Sequence, residues 1–563
     1  MPESDNELQS ALLLHQKGDL KGALELYKSV LSRPSPPKVA LLNTPPVLRA
    51  LDRHNEAIDL SNNALLAYPF DAGLYNNLGN LYLDIEQDFN AISCYRKALS
   101  IKPDFVDARL SLITLLLKQN LYQLAYATAI AGLKTSNDSN QRLIVPFLES
   151  YYRLPEEQRG SIDDFQRLLD HLEDQLEADD EKIATIKILL TNVWLQIRNL
   201  DKAAESLDSL RQHIPNLLKP GIKLKQSFID NWNSLNWNLS ISYLKSGRLK
   251  EGWSLFDFGL RVNAEGPQRW QRALKKPFGS ATIPLWRGES LANKRLLLLG
   301  EQGIGDTMMF ATLINSLLKR GCKIYFIPGS RLNLIYKESM PNVTIITTAD
   351  LQANKYSSSS FDFQSPIGSI CQYGYDNYSA YATNKRVLVA NQKLTSEYKQ
   401  RYFKDRPLVG ISWQGGGKEK RIRQKSCSLK DLLPILKRKD CDFVSLQYGN
   451  DGPMVDNFNK KYSTSIIHDE TVDPIKDMYS WLSQVAAMDF VISIANTTVH
   501  GSGGLGVPTM CLVSTNSDWR WVDPKIYAGN YWYESVDATY QSEDGRWYDA
   551  VSEANEWLDR HLK

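Results

Sequence analysis

Alanines stand at positions 23, 57, 91 and 125, each 34 residues after the one before. That period is too long for a strand or a heptad and fits a helix, a turn, a second helix and a connection. One such unit cannot bury its apolar face alone, so successive copies must stack. Small side chains are needed where two antiparallel helices come closest, which is the place the alanines fill. The early part of the chain is therefore expected to form an α-solenoid.

The clearest copy runs from 72 to 105, with Tyr75, Leu78, Gly79 and Tyr82 on a first helix, Ala91, Tyr95 and Ala98 on a second, and Pro103 closing the pair. In these positions it resembles the tetratricopeptide repeat. Weaker copies flank it, and Pro45 and Pro46 fall in the first helix of the second copy. A proline pair in a helix interior predicts a late start or a distortion there. The repeats are placed at residues 1–135. Degenerate helical copies follow at 136–262, marked by Ala203, Leu207 and Pro215 and then by Leu239, Tyr243, Gly247, Gly252 and Phe256. The concave face of such an array receives an extended peptide or another protein, and the alternative is a purely structural spacer.

Composition narrows the function classes. Of 563 residues, 43% are hydrophobic and 23% charged, enough to bury several cores. With 66 Lys and Arg against 64 Asp and Glu the net charge is +2, so no global field favours nucleic acid or an anionic membrane. The six cysteines lack any C-x-x-C spacing and suit a reducing compartment. No stretch approaches the roughly 20 apolar residues of a membrane span, and a cytoplasmic protein is expected.

Residues 263–293 carry Pro267, Pro277, Gly279, Pro284 and Gly288 and read as a linker or docking segment. An α/β lobe is placed at 294–405. Its first strand, the apolar run 295–299, leads through Gly300, Gly303 and Gly305 into an amphipathic helix at 307–319, and a second strand follows at 323–327. Glycines before a helix let backbone N–H groups approach an anion at its positive end. The spacing is neither a dinucleotide fingerprint nor a Walker loop. Asp306, at the carboxyl end of the strand, is either a general base for an acceptor hydroxyl or a residue that only starts the helix.

A second lobe is placed at 406–563, with strands at 408–413, 443–447, 490–494 and 508–513 alternating with helices at 429–436 and 478–488. After the first of these strands come Gly415, Gly416 and Gly417 and then Lys418, Lys420, Arg421, Arg423 and Lys425, a diphosphate cradle or a solvated basic loop. After the third come Asn496, Thr497, Thr498, His500 and a run of glycines including Gly503, read as a strand-to-helix turn aimed at a phosphate. Trp519 and Trp521 suit a base or sugar ring, or else an aromatic plug between lobes.

Together, Pro284 to Trp286, Gly300 to Phe310, Gly410 to Trp413 with Gly415 and Gly416, Phe443 to Gly449, Asp489 to Pro508 and Asp518 to Trp521 resemble glycosyltransferase family nine, the heptosyltransferase-like group. The resemblance covers about half the chain and implies a GT-B fold of two Rossmann-like lobes. It implies an inverting transferase that takes a nucleotide-sugar donor, needs no metal or cofactor and passes the sugar to a glycan or protein acceptor. Asp306 matches the family's base. Thr498, His500 and Gly503 match its phosphate- and nucleoside-side turn and the Gly415 region its second-lobe loop, and with them Gly303, Gly305, Trp413, Gly416, Arg423, Lys425, Gln447, Asn496, Thr497, Trp519 and Trp521 are expected to bind the donor. Two positions depart from the pattern: Ala495, where members often carry Asp, and Cys427, where they often carry Arg. The other class of function is a scaffold whose repeats bind a partner while the transferase lobes have lost their chemistry.

Overall fold

The computed structural model describes residues 2–134, 141–161, 164, 165, 167, 180–217, 226–261, 283–301, 303–381, 386–416, 422, 425–449, 451–515, 519–523, 525–527 and 530–563. The chain divides into two compact units, Met1–Leu224 and Lys225–Lys563.

In the first unit, α1 (Pro2–Gln16) pairs with α2 (Leu20–Leu31), α3 (Lys38–Ala50) with α4 (His54–Ala67), α5 (Ala72–Asp84) with α6 (Asp88–Ile101), and α7 (Val106–Lys118) with α8 (Tyr122–Leu133). Ala23, Ala57, Ala91 and Ala125 lie on the second helix of successive pairs and are all 0% exposed. The spacing thus marks close helix contacts. A Cβ on Gly79 would come 2.6 Å from the Tyr95 ring, whose hydroxyl donates to Asn80 Oδ1 at 2.8 Å. Further on, Gln141–Arg153 follows α8, and Asp180–Gln196 pairs with Leu200–Leu217.

A second register runs through the pairs. The turn between their helices carries one left-handed residue, Gly18 (φ 82°), Asp52 (56°), Glu86 (59°) or Asn120 (59°), two places before the second helix begins. This is the helix-ending αL conformation that satisfies terminal carbonyls. Arg198 (59°) and Gly247 (80°) hold the same place before Leu200–Leu217 and Leu249–Leu255. The degenerate pairs keep the hairpin turn after the signature side chains have gone.

The helix neither starts late nor breaks at Pro45 and Pro46, because α3 continues through both. A prolyl nitrogen at 46 cannot bond the carbonyl of Leu42, four residues earlier. Asn77 on α5 supplies the missing donor: its Nδ2 gives a hydrogen bond to Leu42 O at 3.1 Å. The first helix of the following pair therefore repairs the gap at Leu42.

The second unit opens with Gln226–Lys245, Leu249–Leu255 and a short turn of helix, Phe256–Leu260. Sequence reading carried the repeat array to Val262, whereas the division falls at Leu224 and this helix pair lies within the second unit. Its Trp253 and Phe256 enter an aromatic cluster with Phe310, Trp519 and Trp532. Of the linker segment, residues 263–282 lie outside the described residues; Trp286 N–H bonds Gln364 O at 2.9 Å and docks the remainder against β4.

Two all-parallel sheets follow. The first has the order β3 (Val343–Ile345), β2 (Lys323–Ile327), β1 (Arg295–Leu299), β4 (Phe363–Pro366). The second has the order β6 (Asp442–Ser445), β5 (Leu408–Ser412), β7 (Phe490–Ile494), β8 (Thr509–Val513), β9 (Val536–Tyr540). Every residue of β5, β6 and β8 is buried, as expected for parallel strands covered on both faces. Strand order reverses between β1 and β4 and again between β5 and β7. Crevices in such sheets open at these switch points, outside the carboxyl ends of the strands. Among the described residues, no helix is long and apolar enough to cross a membrane.

Replacing Asn77 with Ala strands the Leu42 carbonyl. Urea unfolding of the full chain should show the helical transition weakened by about 1–2 kcal/mol, with little change in the transition of the second unit. Equal weakening of both transitions would count against this local origin.

Candidate functional site

The loop after β1 makes the first wall. Gly300 passes so close to Ile327 and Pro328 that a Cβ would meet the Pro328 carbonyl oxygen at 2.9 Å. The helix Ile304–Ala311 then starts, with Gly303 at its N-cap. The predicted single helix at 307–319 is two, Ile304–Ala311 and Ile314–Leu318. Asp306 does what the simpler reading required: its Oδ2 accepts the Gly303 N–H at 2.9 Å. Its Oδ1 accepts from Arg520 Nε at 2.6 Å, and a terminal guanidinium nitrogen also pairs with it. Both carboxylate oxygens are thus engaged, one by backbone and one by a cation that sequence reading passed over between its two tryptophans.

Glu301 was also missed. It is 1% exposed and takes the Gly368 N–H at 2.6 Å. That bond joins the loop after β1 to the loop after β4, across the switch point of the first sheet.

At the second switch point, polar side chains tie three strand ends together. Gln447, after β6, accepts from Ser412 Oγ (3.1 Å), Trp413 N–H (3.0 Å) and Gln414 N–H (2.9 Å). Asn496, after β7, donates to Ser412 Oγ at 2.8 Å and accepts the Thr498 N–H at 2.9 Å, capping the helix Thr497–Leu505. Gln447 and Asn496 therefore hold the loop between β5 and Gly416. Gly415 N–H donates to Ser426 Oγ at 3.1 Å, and a Cβ on Gly416 would meet the Tyr448 hydroxyl at 2.7 Å. Lys425 is partly exposed in the same loop, and Arg423 lies outside the described residues.

Between these walls lies a cleft of about 390 Å³. Ile304 and Arg331 line it from the first lobe, and Tyr448, Met478, Trp481, Thr497 and Thr498 from the second. The helices beginning at Ile304 and Thr497 both start at this cleft, so their positive ends converge on it. Arg331 is exposed there, on the turn that follows β2. Burial raises the pKa of the Tyr448 phenol, and the nearby Asp451 carboxylate adds to that effect, which keeps it a neutral hydrogen-bonding group. The wall is largely apolar, with the Arg331 guanidinium at its edge.

Other predicted residues have different places. The run of glycines is no turn: Gly501, Gly503 and Gly504 lie inside the helix Thr497–Leu505, where a Cβ would strike Trp481 (2.8 Å), Tyr533 (2.6 Å) and Leu388 (2.6 Å) respectively. Gly503 thus serves packing against Tyr533. His500, 7% exposed, has Nδ1 3.2 Å from the Tyr533 hydroxyl and its ring against Gly305, where a Cβ would approach Cδ2 to 2.7 Å. Burial, to which the neighbouring Tyr336 and Asp306 groups add, holds the Tyr533 phenol well above its ordinary pKa. Trp519 (3% exposed) packs on Trp253, Phe256 and Phe310, and Trp521 (5%) is likewise buried, so both take the plug role. Trp413 is buried in the core on the other side of the second sheet, with Cys427 and Leu429. Among the described residues, no cluster of three His, Cys, Asp or Glu side chains is placed to hold a metal.

Gly305 is one contact point of the two lobes, against His500. Gly305→Ala should destabilise the second unit by about 1–3 kcal/mol in urea unfolding. Part of that loss should return in Gly305→Ala/His500→Ala, and a double-mutant cycle showing no coupling would exclude the contact as its cause.

Comparison with known proteins bears chiefly on the helical part. Residues 72–105 match the family described as tetratricopeptide repeat. Over 320 residues, 54% of this chain and 51% of the relative, the sequence is 23% identical to Protein FlbA of Caulobacter vibrioides. The chain thus spans about half the length of the curated relative it matches. Similar solved structures include the C-terminal part of a TPR repeat-containing protein from Cytophaga hutchinsonii, at 10% identity over 46% of this chain and 96% of that one, TM-score 0.35. A tetratricopeptide repeat protein from Parabacteroides merdae is 15% identical over 47% of this chain and 95% of that one, TM-score 0.30. The chain carries a tetratricopeptide repeat within a helical solenoid, a scaffold that supports protein–protein contact, followed by a region of parallel α/β sheets.

Proposed function

We propose that the second unit is a glycosyltransferase of the GT-B kind, moving a sugar from a nucleoside diphosphate to a hydroxyl of a glycan or protein. The observation that carries this reading is the cleft between the carboxyl ends of the two sheets, where two helix N-termini and Arg331 meet. Phosphates are favoured at such helix ends, and the apolar wall leaves room for a ring.

In the transfer, the acceptor oxygen bonds to the anomeric carbon from the face opposite the diphosphate. The bond from that carbon to the diphosphate oxygen breaks, and its electron pair leaves with the nucleoside diphosphate. The acceptor proton passes to the Asp306 carboxylate. Thr497, Thr498 and Arg331 stabilise the departing charge, while Gln447 and Asn496 position the loop around it. Two helix N-termini and Arg331 meet the leaving group's charge, so the transfer needs no metal ion. The repeat solenoid of the first unit selects the acceptor or the protein that carries it.

A second reading, a repeat scaffold whose lobes no longer catalyse, is favoured by one observation: both oxygens of Asp306 are already bonded. Thermal-shift measurements with UDP-, GDP- and ADP-sugars separate the two. A transferase is stabilised by one nucleotide class in a concentration-dependent way, and failure of all three to raise Tm or to be turned over would end the transferase reading.

With the responsive donor, Arg331→Gln should weaken binding about threefold to tenfold, read by calorimetry. Asp306→Asn should keep the nucleotide bound and cut turnover by about 10²–10⁴-fold.

A further inference from the structure

The pair formed by Asp306 and Arg520 has features that a simple clamp between lobes would not need. Arg520 Nε lies 2.6 Å from Asp306 Oδ1, and the two side chains are only 14% and 16% exposed. The guanidinium also lies 4.4 Å from the centre of the Trp519 ring, so it has a second favourable surface against which to turn. Trp519 itself is gripped by Trp253, Phe256 and Phe310, which fixes that pivot. Asp306 stands in the first turn of the helix whose Ile304 lines the cleft, and Arg520 is therefore stationed beside the anion-favouring end of that helix.

While Arg520 holds Oδ1 and Gly303 holds Oδ2, the carboxylate has its strongest acceptor positions filled. A guanidinium binds a phosphate with the same forked geometry it offers a carboxylate, and a diphosphate carries more charge than one aspartate. We propose that Arg520 is a donor-binding residue held in store by Asp306: an arriving diphosphate draws the guanidinium away, and the same exchange frees the carboxylate to take the acceptor proton. The inference rests on the transferase reading of the cleft. It goes beyond that reading in making donor binding the event that arms the base, and in assigning Asp306 a competing, anion-like role before the donor arrives.

The test follows from that competition. Asp306→Asn preserves size and removes the rival charge, so the full-length protein should bind its nucleoside diphosphate about fivefold to tenfold more tightly by calorimetry, although its turnover falls. Arg520→Met should weaken the same binding by a similar factor. In Asp306→Asn/Arg520→Met the gain from Asn should vanish, and Arg520→Lys should restore part of it. Inorganic pyrophosphate, used as a second probe, should follow the same order. Thermal unfolding of each variant checks that it is folded, and Arg520→Lys serves where Arg520→Met is not. Unchanged or weaker nucleoside diphosphate binding in Asp306→Asn would overturn the exchange and leave a lobe clamp. Failure of the unaltered protein to bind any nucleoside diphosphate would sink the transferase reading itself; if pyrophosphate still bound in the stated order, the exchange would stand as an anion response, and if pyrophosphate failed too, both would fall.

Discussion

Close approach of helices at positions with little or no side chain is the constraint on which both units depend. In the solenoid, Ala23, Ala57, Ala91 and Ala125 have no exposed surface, and Gly79 admits the Tyr95 ring. In the α/β unit, Gly305 admits His500, while Gly501, Gly503 and Gly504 admit Trp481, Tyr533 and Leu388. Each missing side chain is matched by a large partner, and a packed interior tolerates little addition of volume. The spacing of elements, and hence the width of the cleft, is set by these contacts.

On that frame the electrostatics of the cleft are a product of topology. Parallel strands put all their carboxyl ends on one side, and each sheet reverses its order once, so the loops that follow β1 and β4, and β5 and β7, gather at two switch points. Helices begin at Ile304 and Thr497 beside them. Glu301, Gln447 and Asn496 then spend their hydrogen bonds on holding loops rather than on reaching a ligand. The only predicted site residues lining the cleft, among those described, are Thr497 and Thr498.

Much of the architecture was legible from pattern. The 34-residue interval located the helix pairs, and the apolar run at 295–299 was legible as a strand, its four leucines buried. The short strands β3, β4 and β9 were not found: β9 mixes Asp and Thr with apolar residues, and β4 is only four residues long. Pro45 and Pro46 misled because local propensity cannot know that Asn77, on another helix, will supply the absent donor. The left-handed register escaped notice because Gly, Asp, Glu, Asn and Arg all occupy it.

The sequence by itself determined the period of the solenoid, the αβ alternation, and the presence of glycines before and within the helices at 304 and 497, since these are local or repeating properties of the chain. Only tertiary structure decided what each did. Gly503 became a seat for Tyr533, Trp519 a core residue, and Asp306 both a helix-starting acceptor and the partner of Arg520, 214 positions away in sequence. The reason is physical: burial and charge pairing depend on neighbours in space, and no spacing along the chain encodes which of two distant side chains will share a hydrogen bond.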